Sequence, residues 1–152
     1  MTDVERFAHA GATLVAERRG RGEHVYVLIH GIGMGRSVFT DLERHLGDGE
    51  VVAFDLPGYG EAPEPRRVLT IERTADLVAA YLGARVRTPA VLIGHSMGAQ
   101  VALEVAVRHP ALADRIVLIG PTVDPRVATD CAEARPERCS AGPRRGWRPA
   151  HR

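Results

Sequence analysis

Apolar positions along this chain fall into two alternating spacings. Short, nearly continuous apolar runs occur in "ATLVAERRG" (12–20), "HVYVLIHG" (24–31), "EVVAFDLPG" (50–58), "AVLIGHS" (90–96) and "RIVLIGP" (115–121). Runs of this length bounded by Gly or Pro suit strands buried on both faces of a parallel sheet. Between them the spacing changes to three and four. Ser37 is placed to cap a helix carrying Val38, Phe39, Leu42 and Leu46. Thr70 is placed to cap a second, with Ile71, Ala75, Val78 and Leu82 on one face and Gly83 as its stop. A third spans about Met97 to Arg108, with Val101 and Val105 on one face and Pro110 ending it. Strands alternating with helices predict an α/β fold, a mostly parallel sheet with flanking helices and right-handed crossovers.

Past Pro125 neither spacing continues. Residues 126–152 hold seven Arg, three Pro and one branched aliphatic, Val127. Such a segment buries too little apolar surface to offset its ordering entropy, so a disordered carboxyl-terminal tail is expected after a core at 1–125. Its composition is also that of a GC-rich gene read in a shifted frame. A net charge of +1 over 152 residues offers no general attraction to nucleic acid or membrane. The tail alone carries seven Arg against Asp130, Glu133 and Glu137, but no nucleic-acid-binding pattern accompanies it. "MTDVERFAHAGA" lacks the apolar stretch of a signal peptide, and no run reaches the ~20 residues of a spanning helix, so a cytoplasmic protein is expected. Cys131 and Cys139 match no common zinc or redox spacing, and no metal or organic cofactor is implied.

The chemistry concentrates at Gly94-His95-Ser96-Met97-Gly98, a G-x-S-x-G placed between a predicted strand and a predicted helix. In that context the glycines let strand and helix approach, and a sharp turn lifts the serine hydroxyl at the helix amino end. A serine serving only as a helix N-cap is the plainer alternative. His30-Gly31-Ile32-Gly33 follows the strand "VYVLI", where acyl-transfer chemistry needs a backbone N–H for an oxyanion. The amides of Ile32 and Met97 form the natural pair, the second belonging to the residue after the serine.

In order and spacing, "VLIHGIGMG", "VVAFDLPGYGEA", "VLIGHSMGAQVALEVA" and "DRIVLIGPTVDP" resemble the core of the α/β-hydrolase fold superfamily, over residues ~12–125. The resemblance implies a nucleophile after the fifth strand, with Ser96 in that role, and a Ser–His–acid triad cleaving esters or related acyl substrates. Ser96 separates the chain from epoxide hydrolases and haloalkane dehalogenases, which resemble it but carry a carboxylate there.

The same resemblance places the acid and the histidine after later strands, whereas here the pattern stops after "RIVLIG", the sixth strand in the family's order. A truncated core, strands one to six, is the expectation. Asp124 is the acid candidate, although Asp before Pro more commonly starts a turn. Asp55 is expected to fix a loop. No histidine is a good base: His95 adjoins Ser96 but points elsewhere, His30 packs or orients its loop, and His109 lies at the far end of the third helix. His9, His24 and His45 have no positional argument, and His151 sits in the tail. A hydroxyl without a base stays weakly nucleophilic. The leading expectation is a serine hydrolase of small-molecule acyl substrates, weakly active or inactive as this chain; the alternative is a degenerate, non-catalytic core acting as a binding module. The open edge of the sixth strand is expected to invite self-association.

Overall fold

The computed structural model describes residues 3–121. Asp124, Cys131, Cys139, His151 and the expected tail at 126–152 lie outside them. Six strands form one sheet: β1 (Asp3–His9), β2 (Ala12–Arg19), β3 (Val25–Ile29), β4 (Glu50–Asp55), β5 (Ala90–His95) and β6 (Ala113–Ile119). Their order is β1-β2-β4-β3-β5-β6. The pairs β3–β4, β3–β5 and β5–β6 run parallel, while β1–β2 and β2–β4 run antiparallel. The mostly parallel α/β sheet expected from the apolar runs is therefore the fold.

Side chains alternate across the sheet as the pleat requires. Val27, Ile29, Val52, Phe54 and Leu92 face a core closed by helices α2 (Ile71–Arg85) and α3 (Met97–Arg108). Leu28, Val51, Ala53 and Ile93 face the other way, against Phe39, Leu42 and Leu46. Thr70 caps α2 as anticipated, its side chain accepting a hydrogen bond from the Arg73 amide at 3.3 Å.

Four expectations need correction. β1 lies in the amino-terminal segment before Ala12, where the apolar runs predict no strand. It pairs with β2 through a two-residue turn at Ala10-Gly11, both with positive φ (49° and 81°), the geometry hairpins favour. Alanine in the first of these positions conceals the turn. Second, Ser37 caps no helix: residues 36–39 form a 3-10 turn whose N-cap is Gly35, and α1 (Thr40–Glu43) is a single turn. Of the four apolar residues assigned to that helix, only Phe39 is buried, and Val38 is 47% exposed. Third, Gly83 does not end α2: it lacks the positive φ of a stop, and the helix runs two residues further to Arg85. Fourth, β6 is not buried on both faces; Ile116, Val117 and Ile119 are exposed along it.

Candidate functional site

β5 delivers the chain to Ser96 at the carboxyl end of the sheet, and α3 departs from the next residue. Ser96 takes φ 53° and ψ −116°, a left-handed conformation that costs a non-glycine residue ~1–3 kcal/mol and persists only where its surroundings fix it. Two contacts fix it here. Its amide donates to the Ile119 carbonyl at the end of β6 at 2.9 Å, and its carbonyl accepts from the Ala99 amide at 3.0 Å. The flanking glycines are sterically required: a Cβ on Gly94 would lie 2.2 Å from the Gly98 carbonyl oxygen, and one on Gly98 would lie 2.0 Å from that of Ile29. Although Ser96 occupies the N-cap position, its side chain makes no capping hydrogen bond. The plain capping alternative is thereby excluded, and the half-buried hydroxyl stands at the amino end of a twelve-residue helix.

The loop after β3 meets this turn. Gly31 packs so closely that a Cβ there would lie 3.0 Å from the Ser96 Cβ and 3.2 Å from His95 Nδ1. Beyond it the loop turns through Gly33 (φ 72°), with the Met34 amide bonded to the Gly31 carbonyl at 3.3 Å. Among the described residues, no hydrogen bond occupies the Ile32 N–H. His30 anchors the start of the loop. It is fully buried; its Nδ1 lies 2.7 Å from the Gly31 carbonyl, and its Nε2 accepts from the Leu56 amide at 3.0 Å. That pattern assigns the Nδ1–H tautomer and uses both ring nitrogens. Burial holds the imidazole below its ordinary range, outweighing the Gly31 hydrogen bond and the Asp55 charge that act the other way.

Asp55 fixes loops, as anticipated. Its buried carboxylate accepts the Arg36 amide at 2.7 Å and the Glu61 amide at 2.9 Å, and pairs with the Arg36 guanidinium. Gly35 and Gly60 make space for it, since a Cβ on either would lie within 3 Å of its carboxylate. Sequence reasoning missed Arg36, Glu17 and Glu61 altogether. They are brought together by the sheet from three separate segments, and no local periodicity marks them.

None of the described histidines is hydrogen-bonded to the Ser96 hydroxyl. His109 pairs with Asp76 at 3.1 Å beyond the far end of α3, where its hydrogen bond is the leading cause holding the Asp76 carboxyl below its ordinary range. His95 Nδ1 is buried and has no hydrogen-bond partner among the described residues. A cavity of about 230 Å³, bounded by Leu56, Tyr59, Leu69 and Met97 among others, opens beside the first residue of α3. Among the described residues no cluster of His, Cys, Asp or Glu could hold a metal ion, and no helix is long and apolar enough to cross a membrane.

A strained turn after the fifth strand of this sheet, met by a glycine-rich loop after the third, is the arrangement of one fold family. The model of the alpha/beta hydrolase family matches residues 26–152, and the chain belongs to that family. Within it, the chain is 48% identical over 84 residues to a pimeloyl-[acyl-carrier protein] methyl ester esterase of Neisseria meningitidis, covering 55% of this chain and 25% of that protein. It is 30% identical over 131 residues to a 2-(acetamidomethylene)succinate hydrolase of Mesorhizobium japonicum, covering 86% and 46% respectively. The chain thus spans less than half the length of these curated relatives. Among solved structures, the N-acyl homoserine lactonase AidH superposes with a TM-score of 0.70 at 23% identity, over 80% of this chain and 46% of that one. The epoxide hydrolase CorEH superposes with a TM-score of 0.73 at 20% identity, over 80% and 43%. These two likenesses concern the fold.

Proposed function

We propose that Ser96 is the nucleophile of an acyl-transfer site acting on small-molecule esters. The observation that carries this reading is the positive-φ turn that holds an uncapped hydroxyl beside the 31–33 loop. In the reaction, Ser96 Oγ bonds to the acyl carbonyl carbon and its proton leaves with the alcohol; water then cleaves the acyl-serine, restoring the hydroxyl and releasing the acid. The amides of Ile32 and Met97 receive the oxyanion in both tetrahedral stages. The cavity beside Met97, lined by Leu56, Val68 and Leu69 together with Glu64 and Thr74, gives room for an acyl chain. The esterase and hydrolase names of the relatives support the same class of substrate.

The proton acceptor is the weak element. No described histidine bonds to Ser96, and Asp124, the proposed acid, lies outside the described residues. Slow turnover is therefore the expectation, since an oxyanion hole and binding alone leave ~10³-fold acceleration when a triad is incomplete. An aryl acetate assay comparing the protein with Ser96→Ala tests this. Slow release abolished by Ser96→Ala is expected. Equal rates would overturn the nucleophile, and fast serine-dependent turnover would overturn the missing base.

A further inference from the structure

We infer that Arg36 is the positioning residue of the loop that presents the Ile32 amide, a role that rests on the acyl-transfer reading above. Three of the seven residues from 30 to 36 are glycine, and Gly31, Gly33 and Gly35 leave the chain between them little intrinsic preference. Such a loop keeps one conformation only if both its ends are held. His30 holds the first end. Arg36 holds the second, by main chain and side chain together.

Its amide is bonded to Asp55 Oδ1 at 2.7 Å, while its guanidinium meets carboxylates from three segments. Nε lies 2.8 Å from Glu17 Oε2 on β2, one terminal nitrogen is in close contact with Asp55 Oδ2 at the end of β4, and the other lies 3.0 Å from Glu61 Oε1 in the loop beyond. The Arg36 side chain is 15% exposed, Glu17 14% and Asp55 only 2%, so the pairs with Glu17 and Asp55 sit largely out of water while Glu61 lies at the surface. Only a planar fork with several fixed donors satisfies three carboxylates in this way; an ammonium group is a single point charge and cannot. Because Asp55 also binds the Glu61 amide, Arg36 joins the loop after β3 to the loop after β4, which bounds the cavity beside Met97. Glu17 retains Arg19 as a second partner, with Nε at 2.7 Å, whereas Arg36 is the only cation bonded to Asp55 among the described residues.

The test combines two readouts on Arg36→Met, Arg36→Lys and the exposed control Arg44→Met. One is residue-level amide hydrogen exchange; the other is the rate at which a fluorophosphonate modifies Ser96. Arg36→Met is expected to speed exchange at the hydrogen-bonded loop amides of residues 34 and 36 by about tenfold while β3, β5 and α3 exchange as before, and to slow modification by a similar factor. Arg36→Lys should recover part of both, and Arg44→Met should change neither. A folded Arg36→Met with unchanged exchange at residues 34 and 36 overturns the inference, as does loosening spread evenly through β3 and α3. Should Arg36→Met fail to fold, Glu61→Gln decides: its side chain is 64% exposed, and faster exchange confined to the loop supports the role while unchanged exchange rejects it. If the unmodified protein never reacts with the probe, the nucleophile reading fails, and the exchange data still judge Arg36. If it reacts and Arg36→Met reacts equally fast, the nucleophile stands and Arg36 has no positioning role.

Discussion

At the scale of single residues, the site depends on atoms that are missing as much as on those present. Gly94, Gly98 and Gly31 bring three backbones close enough that any Cβ would press on a neighbour. That crowding holds Ser96 in its strained turn. His30 supplies a complementary constraint with a pH signature. Burial penalises its charged form in the folded protein, whereas in the unfolded chain it protonates near the ordinary 6.5. Its stabilising contribution is therefore complete above about 6.5 and declines as pH falls from there toward the lower folded-state value. Melting temperatures from pH 7.5 to 5.5 should fall, and should fall less in His30→Gln. Identical slopes would contradict the neutral, doubly bonded ring. Carboxylates held low, Glu17 by its arginine partners against the upward pull of burial, and Asp76 chiefly by His109, lose their contribution only below their ordinary 4.5 and 3.8, outside that window.

At the scale of elements, legibility followed the locality of the signal. β3, β4 and β5 announce themselves because each is buried on both faces, and α3 because its start and stop are written in Ser96-Met97 and Pro110. The same locality made the Gly94–Gly98 turn readable. The failures share the opposite property. β1 is held by Glu5 and Phe7, which meet Tyr81 of α2 from more than seventy residues away. The 36–39 turn starts where Asp55, nineteen residues on, accepts the Arg36 amide, just ahead of the serine expected to cap a helix. Arg36 was invisible for the same reason. Gly83 misled because a stop signal was read where the helix simply continues. That position is exposed, lacks a positive φ and has open space around it, so Gly83→Ala is expected to stabilise the protein by ~0.5–1 kcal/mol. Denaturant unfolding checks this; a loss of stability would show that the glycine is needed.

At the scale of the whole molecule, the sheet and its crossovers belong to a family whose fold serves many reactions. A lactonase and an epoxide hydrolase superpose on this chain comparably well, so the fold does not choose the chemistry. The outer edge presents a separate property. β6 is the last strand of the described sheet and exposes Val117 and Ile119 along its length. Apolar edges of this kind pair with other chains unless a charge or a covering element intervenes. We therefore predict concentration-dependent association by light scattering, reduced in Val117→Lys. A monomer at all concentrations would show that the edge is covered.

The central claim is that the turn at residue 96 presents a reactive hydroxyl. The most direct measurement is intact mass after exposure to a fluorophosphonate, followed by peptide mapping. One adduct at Ser96, formed slowly for want of a bonded base and absent from the denatured protein and from Ser96→Ala, is predicted. A folded protein that acquires no adduct, or acquires it elsewhere, would contradict the account.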